Sequence, residues 1–384
     1  MILYLTYNDQ PSGVYWSQVT DVVEHLNSLG GPEVRLVALV SVRGYRRSRR
    51  AIRAHSPKAW VLPMVPTMAR WKRNTTILAG VCRLLKPEGI IARGVFSTWM
   101  ALRIKEQGLA PRVCFDGRGA YAAEWEEYRL IDDDALIAQF RPLEQEAVNT
   151  SDFRIAVSEA LVQHWRERYG YVGEAHVVVP CTLGRDHTGP EDGLVAGSRA
   201  GTPFGADDVV LVYSGSTAGW QSFDLLAEVL GGIMDHRSDV KVLFLSKEDA
   251  NNRALQAKYP GRVFVQWLKA DEVRSMLQAC DHGILVREDS ITNRVASPTK
   301  FAEYLAAGLP VIISGHLGDF SRMVVEEDLG IVLQQGTEMP QPQRTEALER
   351  HRLEHFAYRH FTKSAFDTAY RRLLAALSRP AVRD

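Results

Sequence analysis

Short apolar runs alternate along the chain with longer segments whose apolar residues recur at helical spacing. Runs typical of buried strands lie at 2–6, 34–40, 59–62, 89–92, 112–115 and 153–157 in the first half, and at 209–213, 240–245, 263–265, 283–286 and 310–313 in the second. Helical spacing covers 14–29, 221–235, 248–258, 270–279, 298–307 and the tail 344–378. Wholly apolar strands separated by helices indicate parallel sheets that are covered on both faces.

The strand and helix series runs twice, which predicts an α/β protein with two doubly wound, Rossmann-like domains. We expect the first domain over 1–180, the second over 181–345 and C-terminal helices over 346–384. Ligands of such sheets bind outside the carboxyl ends of the strands. The two domains are therefore expected to face each other across a cleft.

The composition is typical of a globular protein and argues against some classes of partner. The 384 residues suffice for two domains, and 46% hydrophobic and 24% charged residues are typical of a globular protein. Lysine and arginine balance aspartate and glutamate at 46 each, which argues against nucleic acid as a partner. The four cysteines lack CxxC or zinc spacing, so we expect reduced, mostly buried thiols. Because we find neither a signal peptide nor a membrane-spanning run, we expect a cytoplasmic protein.

The segment 297–312 carries the clearest chemistry. Ser297 suits the N-cap of a helix, Pro298 its first position and Gly308 the left-handed residue after it. Free backbone N–H groups at a helix start attract anions, and Lys300 adds a full positive charge there. Glu303 lies three residues on, on the same side of the helix, where it can accept hydrogen bonds from sugar hydroxyls. We therefore predict a site for a phosphate and its neighbouring ribose.

Other loops of the second half follow predicted strands. Gly215 and Ser216 form a small loop that lets backbone approach a phosphate. Arg287, Asn293 and Arg294 are donors for phosphate or sugar, with a solvated polar loop as the alternative. Trp267 and Leu268 are expected to frame a nucleobase, with core packing of Trp267 as the alternative.

In the first half, Asp116 and Arg118 follow a predicted strand, and Glu124 follows at helical spacing. Asp116 or Glu124 is a candidate general base, and Arg118 can bind an anionic group. A structural pair of Asp116 with Arg118 is the alternative. The loop containing Ser12 and Gly13, after the first strand, is expected to face the acceptor.

The first half of the chain also contains a dense run of basic residues, beside aromatic residues such as Trp71 that we expect to be exposed. A solvated helix face is the simpler interpretation, and binding to an anionic membrane surface or to a pyrophosphate-bearing acceptor is the alternative. The arginines of this run are Arg43, Arg46, Arg47, Arg49, Arg50 and Arg53.

These motifs resemble those of the GT-B glycosyltransferases, in particular glycosyltransferase family 4, over nearly the whole chain. The resemblance is carried by the pattern Pro298-x-Lys300-x-x-Glu303 through Ile312, by the loop 213–216 and by the loop 116–119. It implies that the second domain holds a nucleotide sugar, that Glu303 binds the ribose and that Lys300 or the helix end meets the diphosphate. It also implies that the first domain binds the acceptor and that a final helix crosses back to it.

The resemblance implies transfer of a sugar from a UDP or GDP type donor to a glycan or lipid-linked acceptor in bacterial polysaccharide synthesis. It implies that neither a metal nor a cofactor is required. In the alternative interpretation of the arginine run, the protein also binds the inner face of the membrane. The expected catalytic residues are Asp116, Arg118 and Glu124. The expected donor-binding residues are Gly215, Ser216, Trp267, Leu268, Arg287, Asn293, Ser297, Thr299, Lys300 and Glu303.

The sequence departs from the family pattern at two places. Val295 stands where a second glutamate is expected, and the residues 218–221 lack the expected arginine and lysine. Retention and inversion of the anomeric centre therefore both stay open. The alternatives to a transferase are a GT-B nucleotide-sugar epimerase and a catalytically inactive partner subunit that binds a sugar nucleotide.

Overall fold

The computed structural model describes residues 1–129, 132–187, 189, 199–215, 222–334 and 338–378. The chain forms two compact units: Met1–Arg185 with Lys363–Asp384 is unit 1, and Asp186–Thr362 is unit 2. The chain thus leaves unit 1 after Arg185, beyond the boundary expected at residue 180. Ser216 and the residues 218–221, discussed above, lie outside the described residues.

Unit 1 is built on a seven-stranded parallel sheet in the order β3-β2-β1-β4-β5-β6-β7. Its strands are β1 (Ile2–Tyr7), β2 (Val34–Val40), β3 (Trp60–Pro63), β4 (Gly89–Arg93), β5 (Val113–Gly117), β6 (Phe153–Ala156) and β7 (His176–Val178). Its first eight helices are α1 (Gly13–Tyr15), α2 (Asp21–Ser28), α3 (Tyr45–His55), α4 (Asn74–Leu85), α5 (Gly94–Glu106), α6 (Tyr121–Tyr128), α7 (Asp134–Thr150) and α8 (Glu159–Tyr169).

Unit 2 repeats the architecture with a six-stranded parallel sheet in the order β10-β9-β8-β11-β12-β13. Its strands are β8 (Val209–Ser214), β9 (Val240–Leu245), β10 (Val263–Val265), β11 (His282–Leu285), β12 (Val311–Ser314) and β13 (Gly330–Leu333). Its helices are α9 (Phe223–His236), α10 (Ala250–Lys258), α11 (Ala270–Gln278), α12 (Ile291–Arg294), α13 (Thr299–Ala306), α14 (Phe320–Glu326) and α15 (Ala347–Phe361).

The last helix, α16 (Asp367–Ser378), belongs to unit 1. Its apolar side chains Tyr370, Leu373 and Leu377 are buried in the same core as residues of β1, β2 and α2. The two C-terminal helices are therefore divided between the units, with α15 in unit 2. Burial of one apolar face is what holds α16 against the unit 1 sheet.

The described architecture confirms the predicted fold class of two doubly wound α/β domains. In each sheet the strand order reverses once, between β1 and β4 in unit 1 and between β8 and β11 in unit 2. We call these the two switch points, because the loops that follow these strands diverge there and leave room for a ligand.

The predicted strands agree with the observed ones within two residues at each end, but β7 and β13 were not predicted. β7 is only three residues long, and β13 is half-buried and begins at Gly330, whose φ is +148°. The predicted helix 14–29 contains a π-helical turn, Trp16–Thr20, between α1 and α2. No helix among the described residues is both long enough and apolar enough to span a bilayer.

Candidate functional site

At the unit 2 switch point, Lys300 from the first turn of α13 lies against the loop after β8. Gly215 has a φ of +132°, and a Cβ atom built on it would come within 2.6 Å of Lys300 Cε and 2.7 Å of Lys300 Nζ. The same ammonium group lies 4.1 Å from the ring centroid of Tyr213. Glycine is thus required at 215, both for its backbone conformation and for the close approach of the lysine.

Tyr304 fixes α13 to the strands that form this switch point. Its fully buried hydroxyl accepts a hydrogen bond of 2.8 Å from the backbone N–H of Ser214, the last residue of β8. On its other side, a Cβ atom at Gly283 of β11 would come within 2.2 Å of the tyrosine ring. Tyr304 therefore fills the space that Gly283 leaves, and this packing places Lys300 one turn earlier beside Gly215.

The electrostatics of the switch point favour an anion. Burial lowers the pKa of Lys300 well below its usual range, and the positive charge of Arg287 lowers it further, while Glu303 raises it. Burial raises the pKa of Glu303, which Lys300 partly offsets. A phosphate bound between Lys300 and Arg287 would stabilise both positive charges.

The loop after β11 holds Arg287 rigidly. The Ser314 hydroxyl accepts from the backbone N–H of Arg287 and lies 2.8 Å from its carbonyl oxygen as well. The guanidinium donates to Asn293 Oδ1 at 3.3 Å, and Asn293 Nδ2 donates to the carbonyl of Glu288 at 3.1 Å. Asn293 is fully buried, so it holds Arg287 in place but is not itself exposed to a ligand.

Arg294 lies apart from this arrangement. It is exposed and forms a two-pronged ion pair with Asp289 at 2.6 and 2.8 Å. The structure therefore brings together Gly215, Arg287, Lys300 and Glu303, and leaves Arg294 on the solvated side of its loop.

The start of α13 differs from the prediction. Pro298, with a ψ of 129°, is the N-cap, and the helix begins at Thr299. The prediction of Ser297 as N-cap and Pro298 as first helical residue is therefore wrong, because Pro298 has extended backbone geometry. The prediction for Gly308 is confirmed, since it follows the helix with a φ of +74°.

The remaining donor-site candidates differ in accessibility. Trp267 follows β10 and is 62% exposed, so the alternative of core packing is wrong for this residue. Leu268 and Thr299 are half-buried, Ser297 and Val295 are buried, and Ser216 lies outside the described residues. An exposed indole beside the carboxyl end of a parallel strand is placed to stack on a planar ring.

At the unit 1 switch point, charges of both signs are packed together below the surface. Asp116, at the end of β5, is 1% exposed and accepts a hydrogen bond of 2.5 Å from the Tyr4 hydroxyl. The guanidinium groups of Arg93 and Arg118 each lie 3.5 Å from its carboxylate oxygens. Burial raises the pKa of Tyr4 well above its usual range.

These contacts correct the expectation for Asp116 and Arg118. A carboxylate that is buried and surrounded by Tyr4, Arg93 and Arg118 cannot reach an acceptor hydroxyl, so Asp116 does not suit a general base. Arg118 also donates to Gln18 Oε1 at 3.1 Å and to Cys181 Sγ at 3.2 Å. Its geometry fits the structural alternative.

Asp9 is a residue that the sequence analysis missed. It lies two residues after the end of β1, its side chain is 34% exposed, and its carboxylate lies 4.0 Å from Arg93 Nε. Burial raises its pKa, while the charge of Arg93 lowers it. The signal that could have found it is position, because the residues after the first strand lie at the switch point of a doubly wound sheet.

Three other acceptor-side candidates are near the surface. Glu124 is half-buried in the first turn of α6, and Ser12 and Gly13 are exposed at the start of α1. Among the described residues, no group of three or more metal-ligating side chains lies together. The metal-independent reaction stays a prediction.

Helix α6 is capped by a carboxylate from another helix, a feature that the sequence did not reveal. Fully buried Glu144 of α7 accepts from the backbone N–H groups of Tyr121 and Ala122 at 3.2 and 2.8 Å and from the Tyr169 hydroxyl at 3.0 Å. Burial raises the pKa of Glu144 to about 7, partly offset by these hydrogen bonds. Ala120, the N-cap residue, has no side chain that can cap the helix.

Comparison with solved structures supports the fold. HepE from Anabaena in complex with UDP is similar with a TM-score of 0.72 and 12% identity, over 98% of this chain and 99% of that chain. Sucrose-phosphate synthase from Thermosynechococcus elongatus gives 0.70 and 14%, over 98% and 99%. A proposed UDP-N-acetylglucosamine 2-epimerase from Listeria monocytogenes gives 0.56 and 14%, over 98% and 95%.

No protein-family model matches the sequence, and no match is found among curated proteins. At these identities the likeness establishes the fold alone, which is that of the GT-B enzymes.

Proposed function

We propose that this chain is a glycosyltransferase that uses a nucleotide-diphosphate sugar as donor and a glycan or lipid-linked molecule as acceptor. The observation that carries the proposal is the pair of buried basic side chains, Lys300 and Arg287, at the unit 2 switch point beside Gly215. Solved structures of similar fold contain UDP and UDP-glucose, which supports a donor of the same class.

In this proposal the chain's own groups stabilise the departing diphosphate. Lys300 and Arg287 supply two positive charges, and the start of α13 supplies free backbone N–H groups and the positive end of the helix dipole. Glu303 accepts hydrogen bonds from the ribose, and Trp267 stacks on the base. These groups are fixed before the donor binds, so they stabilise developing charge without reorganisation.

The acceptor is assigned to unit 1 in this proposal. Asp9 is the carboxylate at its switch point that reaches the surface, and burial already raises its pKa. It can accept a hydrogen bond from an acceptor hydroxyl and take its proton as the bond to the sugar forms. Asp9→Asn is expected to lower kcat by at least tenfold and to leave the affinity for UDP unchanged.

Isothermal titration calorimetry with UDP and GDP tests the donor site. Lys300→Ala should weaken binding of the preferred nucleotide by about 2 kcal/mol, roughly 30-fold, because it removes a charge-assisted contact. Lys58→Ala, which removes an exposed lysine of unit 1, is the matched control and should bind normally. Equal affinity in the two variants would contradict the assignment of Lys300 to the diphosphate.

A nucleotide-sugar epimerase is the second candidate, favoured by the proposed epimerase among the structures of similar fold. Incubation with a panel of nucleotide sugars, followed by NMR of the sugar, separates the two. A transferase releases nucleotide faster when an acceptor is present, whereas an epimerase yields a new nucleotide sugar without one. A partner subunit that has lost catalysis would bind nucleotide and give neither product.

A further inference from the structure

The two units carry opposite charge although the whole chain is neutral. Unit 1 has 29 lysine and arginine residues against 21 acidic ones, and unit 2 has 17 against 25. The formal charge is therefore +8 for unit 1 and −8 for unit 2, and the two cancel in the net charge of zero. Surface binding by one unit is therefore not excluded by the overall composition.

The positive excess of unit 1 comes from one continuous segment. Between Glu33 and Glu88 the sequence contains no aspartate or glutamate and 13 lysine and arginine residues. The rest of unit 1 has 16 basic residues against 21 acidic ones, so it is negative on its own. The segment spans β2, α3, β3 and α4, of which α3 is the richest in arginine.

Helix α3 presents its arginines to solvent. Its inner face is held by buried Ile52 and by Tyr45, whose hydroxyl donates to the carbonyl of Val61 at 2.9 Å. In the part of the chain that the structure describes, no carboxylate lies within 4 Å of any arginine of this helix or of the loop before it. The exposed arginines, which we call the basic face, are Arg43, Arg46, Arg47, Arg49, Arg50 and Arg53.

Exposed aliphatic side chains flank the basic face. Val42, which precedes it, is 46% exposed, and Val14 of α1 is 52% exposed. The two valines follow neighbouring strands: Val14 comes after β1 and Val42 after β2, and Tyr7 of β1 pairs with Leu39 of β2. Trp16 and His55, whose rings stack at 4.0 Å, join the π-helical turn to the end of α3.

We propose that the basic face and its two valines dock on an anionic phospholipid bilayer. Guanidinium groups bind phosphate oxygens in pairs, and aliphatic side chains beside them enter the headgroup region. Duplex nucleic acid offers the same phosphates but no apolar layer for Val14 and Val42, so the valines favour the bilayer. The inference goes beyond the proposed function, because docking requires neither a donor nor an acceptor.

Sedimentation with vesicles tests this surface. The full-length protein is mixed with vesicles of phosphatidylcholine with or without phosphatidylglycerol, and the bound fraction is measured against lipid concentration. Each basic residue near an anionic surface contributes about fivefold, so Arg46→Gln, Arg47→Gln and Arg50→Gln together should weaken binding on the order of 100-fold. Replacing the same three arginines by lysine should largely preserve binding, because the charge is retained.

The matched control removes three exposed arginines of unit 2, by Arg253→Gln, Arg322→Gln and Arg359→Gln, and should bind vesicles normally. A double change, Val14→Ser and Val42→Ser, should weaken vesicle binding several-fold without changing any charge. Circular dichroism of each variant establishes that it is folded.

Three results would overturn the proposal. One is wild-type protein that does not sediment with phosphatidylglycerol vesicles at low salt. Another is equal loss of binding in the unit 2 control. The third is salt-sensitive binding of a DNA duplex that exceeds vesicle binding and is indifferent to the valine changes.

Discussion

The two switch points have the same strand topology but opposite electrostatic designs. In unit 1, Arg93 and Arg118 are matched by Asp116 and Asp9, so positive and negative groups satisfy one another within the protein. In unit 2, Arg287 and Lys300 are both buried, and the charge of Arg287 lowers the pKa of Lys300 while neighbouring Glu303 raises it. The first arrangement balances its charges within the protein, whereas we propose that the second binds an added anion. The comparison shows that topology marks where a ligand can bind and that charge balance decides which ligand.

The largest expected effect tests the structural role of the unit 1 charges. Arg93→Met leaves the buried carboxylate of Asp116 with one fewer positive partner, which should lower the free energy of unfolding by about 3 to 5 kcal/mol. Urea denaturation measures the loss, and UDP affinity should not change in the folded fraction. If the variant were stable but bound UDP more weakly, the donor site would have to be assigned to the unit 1 switch point instead of the unit 2 switch point.

The next effect concerns Glu144, whose pKa of about 7 exceeds its ordinary value of 4.5. The folded state keeps a proton that the unfolded state has lost, so the free energy of unfolding should fall as pH rises through this window. The fall is ~3 kcal/mol in wild type and should be absent in Glu144→Gln. Urea denaturation at about pH 5 and pH 8 measures it, with exposed Glu126→Gln as a control that should retain the fall.

A smaller effect is expected from Tyr304→Phe. It leaves the backbone N–H of Ser214 without its hydrogen bond, which should cost ~1 to 2 kcal/mol of stability. UDP affinity should fall several-fold as well, because Gly215 follows Ser214. Tyr259→Phe removes the hydroxyl that donates to Asp235 in the same unit and should lower stability alone. Equal UDP affinity in the two variants would show that Tyr304 does not position the donor site.

The smallest expected effect is an increase in the free energy of unfolding. Lys300→Met replaces a buried amine by an apolar side chain of similar length, so the free energy of unfolding should rise by ~1 kcal/mol while UDP binding weakens. Thermal denaturation in the absence of nucleotide measures the gain. A destabilised variant would indicate that Lys300 serves the fold, as Arg93 does.

Much of the fold and of the unit 2 site could be predicted because the signals are local. The strands are continuous apolar runs, and Lys300, Glu303 and Gly308 lie within one helix and its end. The unit 1 site could not be predicted, because Asp9, Arg93 and Asp116 come together through the order of β1, β4 and β5. Their spacing along the chain carries no sign of that contact.

Aromatic residues were the hardest to place from the sequence. Trp71, expected at the surface beside the arginines, is buried against Phe96 and Trp99, whereas Trp267 is exposed. Both indoles lie in polar stretches, and burial depends on which helices pack above them. The cap that Glu144 supplies to α6 also depends on packing, since it comes from the middle of the next helix, 22 residues after Ala122.

Proton uptake on binding of UDP tests the central claim most directly. At about pH 8 the diphosphate is fully ionised, so any proton taken up must come to the protein. Because burial and the charge of Arg287 lower the pKa of Lys300, a bound diphosphate should raise that pKa again, and we expect proton uptake at Lys300 to accompany binding. Calorimetry in buffers of different ionisation enthalpy should show uptake in wild type and none in Lys300→Met. No uptake in wild type, or the same uptake in both proteins, would contradict the account.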